Sequence, residues 1–562
     1  MAANGPSTSG TKSIRQTDET NADTDGEDEV GHNDYIQDDV YNPPVASDEE
    51  PDQEEAGNHS DSEIEEDEDS EIVPPTWCTT TPGMHQIEFT RGDTLLVPIP
   101  GEGRPIDFFR LLLDDVMVER MCSFSNKYAF EVFNKPNLQP KSRINRWKDV
   151  QVEEMIKFIG LILHTGTIRL NRLQDYWKTD FLFNMPVFRS YMSRDRFLSI
   201  LRCLHFYGST QQNDPLEKVR YLVEFFNNKM REIYYPQKEL SLGEALVLWR
   251  GRLYFRQYIK GKRHKYGIRL YTLTEHQGLI LKFAVYTGRD DKSIGGKGHT
   301  EKVVLYLLKD YLNKGHAVYM DNFYNSYQLA SKLLANDTYC TGTLRANRKH
   351  IPDVVKSTVL HKGESIARYS NGVMCAKWKN QREVMYISTE FDNEQVEFVG
   401  KGDQKKSKPH AIVKYNSHMS GVDRTDQMLS YYPCDRKTLR WYEKITIHTI
   451  QMMLLNSFTL YNMSRPRLTY YDFRLEVIRC LLGPNPLAPI ESPAQKRLRQ
   501  SMHEPVKITE KNKDNRTIRK RCRQCTVTGK YQRSLFVVAF ARTNRAYVRA
   551  NASVIITTLD KQ

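Results

Sequence analysis

The sequence lacks a run of about 18 apolar residues, the length that a helix needs to cross a bilayer. Met1 leads into polar residues, without the basic and apolar segments of a secretory leader. The nine cysteines are an odd number scattered from Cys78 to Cys525, which is not typical of a disulfide framework. We therefore expect a soluble intracellular protein with no membrane partner.

Basic residues are almost missing from the first 75 positions, which hold only Lys12 and Arg15 against 24 Asp and Glu, a net charge of −22. Because the whole 562-residue chain carries +11, the remaining 487 residues carry +33. A large basic body is typical of proteins that bind polyanions, and nucleic acid is the common case. The acidic segment predicts a disordered arm over residues 1–85. This arm either contacts chromatin proteins or only solvates the body.

Hydrophobic periodicity divides the rest of the chain. Apolar residues recur at helical spacing before residue 238, and short β-rich runs broken by glycines follow from residue 239. The predicted parts are a helical part over 100–238, an α/β core over 239–345 and 410–433, a polar insertion over 346–409, a second helical part over 434–488 and a basic arm over 489–534.

Three acids stand where a carboxylate can do chemistry. Asp321 follows the apolar run 317–320, and the end of a buried strand is a common position for a metal ligand. The same position also fits the N-cap of a helix over 324–334. If a helix begins near Gly421, Asp423 and Asp426 share one face. A helix N-terminus also favours acids without any metal.

Several motifs occur in a specific order along residues 100–485, and together they resemble the piggyBac-type transposases and the cellular proteins derived from them. The motifs are Asp175-Tyr176-Trp177, Met192-Ser193-Arg194-Asp195-Arg196-Phe197, Arg250-Gly251-Arg252 with Gln257-Tyr258, Lys265-Tyr266-Gly267, Met320-Asp321-Asn322-Phe323-Tyr324, Lys408-Pro409, Tyr415-Asn416, and Met419 through Met428.

The resemblance implies an α/β RNase H-like catalytic core with an insertion domain, flanked by an all-α dimerisation and DNA-binding domain. It also implies a homodimer that cuts transposon ends and joins them to target DNA. In such enzymes three aspartates hold two Mg²⁺ ions. Asp321 matches the second family aspartate, Asp423 the third, and Asp426 the adjacent carboxylate.

The first family aspartate is missing. Aligned through Arg250-Gly251-Arg252, its position is Gly243, which has no oxygen to offer a metal. Glu244 follows it, but adjacent strand residues point to opposite faces unless a bulge forms. We expect weakened Mg²⁺ binding and lost or crippled DNA cleavage and strand transfer. The alternative is an active transposase that uses Glu244.

The end of the chain also departs from the family, whose members commonly finish in a zinc-binding domain. Cys522 and Cys525 supply half of a tetrahedral site, and no Cys or His follows them, so Zn²⁺ is not expected in this chain. A shifted reading frame permits Cys at several later codon junctions. Residues 535–562 are therefore predicted to be a frameshift product, and an unrelated tail is the alternative.

Two basic clusters are candidates for contacting the DNA backbone. The one at the C-terminal end also resembles a bipartite nuclear-import signal, which predicts a nuclear protein, although a solvated linker has the same composition. The other lies beside the predicted strand that holds Gly243. The clusters comprise Lys496, Arg497, Arg499, Arg519, Lys520 and Arg521, and Lys262, Arg263, Lys265 and Arg269.

Overall fold

The computed structural model describes residues 74–81, 84–90, 94–134, 142–206, 214–259, 265–399 and 405–486, together with short segments beyond residue 504. The chain divides into two compact units, Met1–Gly483 and Pro484–Gln562. Among the described residues, no helix is long and apolar enough to cross a membrane.

Helices from both ends of the first unit pack together. Helix α1 contacts α12 and α13, and α3 contacts α13, so the two predicted helical segments are adjacent in space. Side-chain caps begin three of these helices, since Asp114 accepts a hydrogen bond from Met117 N, Ser193 from Arg196 N and Thr469 from Asp472 N. The helices are α1 Pro105–Leu112, α2 Asp115–Phe133, α3 Val152–Thr167, α4 Pro186–Tyr191, α5 Arg194–Cys203, α6 Arg220–Ile233, α12 Trp441–Ser464 and α13 Tyr470–Leu482.

Buried hydrogen bonds join α3 to Arg436 and to Arg474 on α13. Arg436 donates to the carbonyl of Thr165 at 2.7 Å and to the hydroxyl of Tyr176, which itself donates to Ile168 O at 2.6 Å. Arg474, which is fully buried, donates to Leu163 O. The Asp-Tyr-Trp motif is therefore a packing element, because leaving these buried groups unpaired would cost stability.

The strands form a nine-stranded mixed sheet in the order β4-β5-β3-β7-β8-β11-β10-β9, with β6 also paired to β5. The neighbours β3, β7 and β8 are parallel, and the other pairs are antiparallel. The strands are β3 Glu239–Leu248, β4 Gln257–Tyr258, β5 Tyr266–Glu275, β6 Ile280–Val285, β7 Ala317–Met320, β8 Tyr339–Thr343, β9 Ser365–Ser370, β10 Val373–Lys379 and β11 Glu383–Ser388.

Helices cover this sheet, and two short strand pairings lie outside it. The remaining helices are α7 His299–Leu308, α8 Tyr327–Leu334, α9 Asp353–Ser357, α10 His410–His418 and α11 Gly421–Tyr431. Outside the main sheet, β1 Thr94–Leu95 pairs with β2 Tyr234–Tyr235, and β12 Gln395–Val399 pairs with β13 Lys405–Pro409.

The predicted insertion is not separate from the core sheet. Strand β11 pairs with the core strand β8, with Tyr386 opposite Thr343, and β10 and β9 continue the sheet outward. The edge of β8 offers unpaired backbone groups, and an antiparallel meander satisfies them. Polar composition alone did not distinguish a separate insertion domain from an extension of the sheet.

The predicted acidic arm also ends earlier than residue 85. Cys78 pairs with Tyr369 of β9, and the ring of Trp77 lies 5.3 Å from that of Tyr327. The hydroxyl of Tyr339 donates to the carbonyl of His85 at 3.0 Å. The described residues 74–81 and 84–90 therefore belong to the folded body.

In the second unit, the regular secondary structure of the described segments consists of short strands. Strands β14 Pro505–Lys507, β17 Phe536–Val538 and β18 Ala546–Tyr547 form one sheet, and β15 Lys520–Arg521 pairs with β16 Arg533–Ser534. Two of these strands come from the segment predicted to be a frameshift product, whose origin stays a prediction.

Candidate active site

Asp321 is the first residue beyond β7, all four residues of which are buried. Its Oδ1 accepts a hydrogen bond from Phe323 N at 3.0 Å, so the carboxylate stabilises the turn that follows the strand. Helix α8 begins later, after Ser326, whose hydroxyl accepts from Leu329 N at 3.1 Å. The expectation that Asp321 caps this helix is wrong, because Ser326 occupies the cap position.

Asn325, a residue that the sequence analysis missed, holds the Asp321 turn in place. It is fully buried, and its amide donates to Met320 O at 2.9 Å and to Thr343 O at 2.9 Å. Gly342 on β8 makes room for this contact, since a Cβ there would overlap the carbonyl oxygen of Met320. The motif Met320–Tyr324 stops one residue short of Asn325, and nothing in the sequence alone names its partners.

Helix α11 begins at Gly421, as predicted, and its first turn rests on the sheet. A Cβ on Gly421 would overlap the carbonyl oxygen of Glu275, so only glycine permits this approach. The hydroxyl of Ser241 donates to Met419 O at 2.8 Å, and that of Thr425 donates to Gly278 O at 3.0 Å. These contacts fix the helix start and leave Asp423 exposed on its first turn.

Gly243 lies between the two acidic segments. In the parallel pair β3–β7, Leu242 is opposite Met320, so the next residues along, Gly243 and Asp321, are neighbours at the end of the pairing. On the other side, a Cβ on Gly243 would lie 3.3 Å from Cγ2 of Val422, the residue before Asp423. The position of the missing carboxylate therefore lies beside Asp321 along the sheet and against Val422, the residue before Asp423, on α11.

Tyr415 on α10 interacts electrostatically with both Asp321 and Asp423. Burial raises the pKa of its phenol, and the negative charges of Asp321 and Asp423 raise it further, while a hydrogen bond with Thr343 lowers it. Both acids must lie within electrostatic range of one hydroxyl. The sequence analysis quoted Tyr415 in a motif but did not predict it as a site residue.

Asp426 lies one helical turn beyond Asp423 and is partly buried. It lines a small cavity of about 10 Å³ with Ala245, Thr272 and His448, a space for about one water molecule. Burial lowers the pKa of His448 to about 4, so this imidazole is neutral at pH 7. Asp426 therefore lies over Ala245, two residues along β3 from Gly243.

Glu244 points to the opposite face of the sheet. The pairing of β3 with β5 runs without a register shift through Gly243, so the bulge that would turn Glu244 towards Asp321 is not formed. Its Oε2 lies 3.3 Å from Nε of Arg269, whose side chain is only 13% exposed. Burial lowers the pKa of Arg269, but the electrostatic interactions with Tyr271 and Glu244 raise it by more. The pKa of Arg269 therefore lies above its usual value. This geometry leaves little of Arg269 for the predicted contact with DNA.

Comparison with known proteins identifies the family of the chain. The family model described as Transposase IS4 matches residues 104–458, more than half of the chain. The chain belongs to the piggyBac-type transposase family.

Two human proteins and one solved structure illustrate the relationship. The chain is 23% identical over 451 residues to PiggyBac transposable element-derived protein 3, covering 73% of this chain and 74% of that protein. It is 21% identical over 374 residues to PiggyBac transposable element-derived protein 2, covering 64% and 61%. A cryo-EM structure of the piggyBac transposase synaptic complex with hairpin DNA is similar with a TM-score of 0.62 at 22% identity, covering 81% of this chain and 99% of that one. The last likeness shows a shared fold.

The carboxylates of this piggyBac-type chain do not complete a two-metal site. Among the residues that the structure describes, no group of three or more His, Cys, Asp or Glu side chains is arranged to hold a metal ion. Gly243, which lies beside Asp321 and Val422, has no side-chain oxygen to offer a metal. The donor set does not fit a Mg²⁺ pair.

Of the remaining residues predicted to bind DNA or zinc, the structure describes only some. Lys265 is exposed at the start of β5, and Lys520 and Arg521 form β15. The others lie outside the described residues, namely Lys262, Arg263, Lys496, Arg497, Arg499, Arg519 and the predicted zinc ligands Cys522 and Cys525.

Proposed function

We propose that this chain is a piggyBac transposase-derived DNA-binding protein that is impaired in DNA cleavage and strand transfer. The observation that carries the proposal is Gly243, which stands between Asp321 and Val422, where the family pattern has an aspartate. Without an oxygen at this position, two carboxylates remain to hold metal ions that each need several oxygen ligands.

We further propose that the central strands form an RNase H-like core. The order β6-β5-β3-β7-β8, with β3, β7 and β8 parallel and β5 antiparallel to both neighbours, supports this assignment. Gly243 on the central strand, Asp321 at the end of the next one and Asp423 on a helix that covers the sheet occupy three different elements. Such a site depends on tertiary packing to bring its residues together.

DNA is the proposed partner, and we expect a homodimer in the nucleus. The +33 charge of the residues beyond position 75 favours phosphate binding, and the similar solved transposase is described as a complex with hairpin DNA. Binding through the acidic arm to chromatin proteins is a second proposed interaction. Salt-dependent histone binding that disappears when residues 1–73 are deleted would support it.

The competing proposal, an active transposase that uses Glu244, has less support. Glu244 lies on the face of β3 that carries the Arg269 ion pair, and adjacent strand residues alternate between faces. To reach Asp321 it would have to leave Arg269, which is largely buried, without its carboxylate partner.

The decisive experiment compares the unmodified chain with Gly243→Asp in an excision assay on a donor plasmid carrying cognate ends. We expect excision only from Gly243→Asp, because the new side chain needs Val422 to move by a few tenths of an ångström and supplies the missing oxygens. Gly243→Asn is the matched control, since it has the same shape without the charge.

A second measurement does not depend on knowing the DNA ends. The melting temperature of Gly243→Asp should rise with millimolar Mg²⁺ more than that of the unmodified chain, because a ligand that binds the folded state stabilises it. Excision by the unmodified chain that Asp321→Ala abolishes would disprove the impairment.

A further inference from the structure

The segment that links β3 to β5 combines cations and aromatic rings without any acid. Residues 249–265 contain seven Lys and Arg and no Asp or Glu. After β3, the chain turns through residues 253–256 and returns as β4, which pairs with the first residues of β5. Phosphates can therefore approach this segment without meeting a like charge from within it.

Two tyrosines lie side by side on the surface of this segment. Tyr258 on β4 is directly opposite Tyr266 on β5, and their ring centroids are 4.9 Å apart. They are 38% and 39% exposed, so each keeps more than a third of its surface open to solvent. The guanidinium of Arg256 lies 5.1 Å from the ring centroid of Tyr266, so the rings and a cation form one continuous surface.

Contacts with neighbouring residues fix the conformation of the chain beneath this surface. Arg256 donates to the carbonyl of Arg250 at 2.9 Å, which ties the preceding loop to it. Gly251 lies against Trp249, where a Cβ would be 2.7 Å from the indole ring. Phe255 packs edge-on to Trp441 at 5.2 Å between ring centroids. Binding to a fixed surface loses little conformational entropy, so the arrangement suits a ligand site.

The tyrosines lie on the same face of the sheet as Gly243. Gly243 is opposite Thr272, and side chains on β5 alternate, so Tyr266, six residues away, is on the face of Thr272. Strand β3 continues for five residues from Gly243 to Leu248, which spans roughly 17 Å at about 3.3 Å per residue. The surface therefore lies roughly 17 Å along the sheet from the carboxylates, within the reach of one bound DNA strand.

We propose that this tyrosine platform, defined as Arg252, Arg256, Tyr258, Lys265 and Tyr266, binds the unpaired bases of a DNA single strand next to the Asp321 site. The proposal rests on the DNA-binding function proposed above. Exposed aromatic faces stack on single-stranded bases, and neighbouring cations neutralise the backbone. In a duplex the bases are already stacked on each other, so only the cations contribute to its binding.

Tyr254, which is 75% exposed on the adjacent turn, does not belong to the platform. The charges of Asp214, Asp290 and Asp291 raise the pKa of its phenol beyond the rise that burial causes, so it faces an acidic surface. A phosphate backbone would be repelled there.

The test measures binding of a fluorescein-labelled 20-nucleotide oligo(dT) and of a 20-base-pair duplex to the full chain by anisotropy. Tyr258→Ala with Tyr266→Ala should weaken binding of the single strand by about tenfold or more, and binding of the duplex by less than about threefold. Replacing both by Phe, which keeps the rings, should preserve the affinity for the single strand. Tyr471→Ala is the matched control, because Tyr471 is 44% exposed on α13.

Each outcome bears on one proposal or on both. If the Ala pair binds the single strand as the unmodified chain does, or loses affinity for both probes equally, the platform is disproved while DNA binding stands. If the unmodified chain binds neither probe at low salt, the proposed DNA-binding function fails as well.

A direct contact measurement covers the case in which the Ala pair does not fold. Oligo(dT) in which 5-iododeoxyuridine replaces single thymidines should photo-crosslink to Tyr258 or Tyr266 of the unmodified chain. Crosslinks confined to residues outside the tyrosine platform would overturn the proposal.

Discussion

At the scale of single residues, one missing side chain separates this protein from the family pattern. A Cβ added to Gly243 would meet Val422 at 3.3 Å, a contact that a small side-chain shift relieves. Gly342 and Gly421 differ, because a Cβ on either would overlap a backbone carbonyl oxygen. Packing therefore requires glycine at those two positions and does not require it at Gly243.

The first prediction at this scale concerns Asn325. Asn325→Ala should lower the free energy of unfolding by about 2–4 kcal/mol, because it removes the buried hydrogen bonds from the Asn325 amide to the carbonyls of Met320 and Thr343. Asn336→Ala is the control, since its amide donates to Lys332 O on the exposed surface and should cost less than about 1 kcal/mol. Urea denaturation measures both, and equal effects would show that Asn325 does not hold the Asp321 turn.

At the scale of elements, β7 places Asp321, and a buried histidine precedes this strand. His316 is fully buried, with Nε2 3.0 Å from the Tyr235 hydroxyl and Nδ1 3.1 Å from the carbonyl oxygen of Gln237. Burial lowers its pKa to about 4, although the contact with backbone carbonyls raises it. The neutral imidazole is therefore part of the native packing at the start of β7.

The pH dependence of stability follows from that shift. Because the unfolded chain binds the His316 proton near pH 6.5 and the folded chain only near pH 4, stability is full above pH 6.5 and is lost as the pH falls towards 4. Between pH 7 and pH 5 the loss from His316 should be on the order of 2 kcal/mol. Denaturation midpoints at the two pH values should differ less in His316→Gln, while the exposed His361→Gln should behave like the unmodified chain. An unchanged pH dependence in His316→Gln would refute the assignment.

At the scale of the whole molecule, charge is separated along the chain. Residues 1–73 carry −22, and removing them changes the formal net charge from +11 to +33. The described residues 74–81 and 84–90 pack on the folded body, so a truncation before Pro74 leaves these contacts in place. An acidic segment attached to a basic body competes with phosphates for the same cations.

Deleting residues 1–73 should therefore strengthen binding to duplex DNA by about tenfold or more at 50 mM salt, and by less at 200 mM, where the charges are screened. Anisotropy titrations at both salt concentrations provide the measurement. A chain of full length whose arm acids are replaced by Asn and Gln should behave like the deletion. If that chain binds as weakly as the unmodified one, the length of the arm and not its charge matters.

Periodicity and motif order in the sequence by themselves predicted several of the elements. The helix that begins at Gly421 and the strand that ends before Asp321 are local features, because helix starts and side-chain alternation depend on neighbouring residues. The family membership, which the comparisons confirm, followed from the order of the motifs. Net charge, which is a sum over residues, also needed no structure.

Tertiary structure decided what each side chain faces. Ser326 replaces Asp321 as the cap of α8, the pairing through Gly243 stays regular and turns Glu244 towards Arg269, and β11 joins the predicted insertion to the core sheet. These outcomes depend on residues far apart along the chain, which sequence patterns of short range do not report. The sequence identified the missing aspartate, and only the packing of β3, β7 and α11 showed that Gly243 lies beside Asp321 and against Val422 at the start of α11.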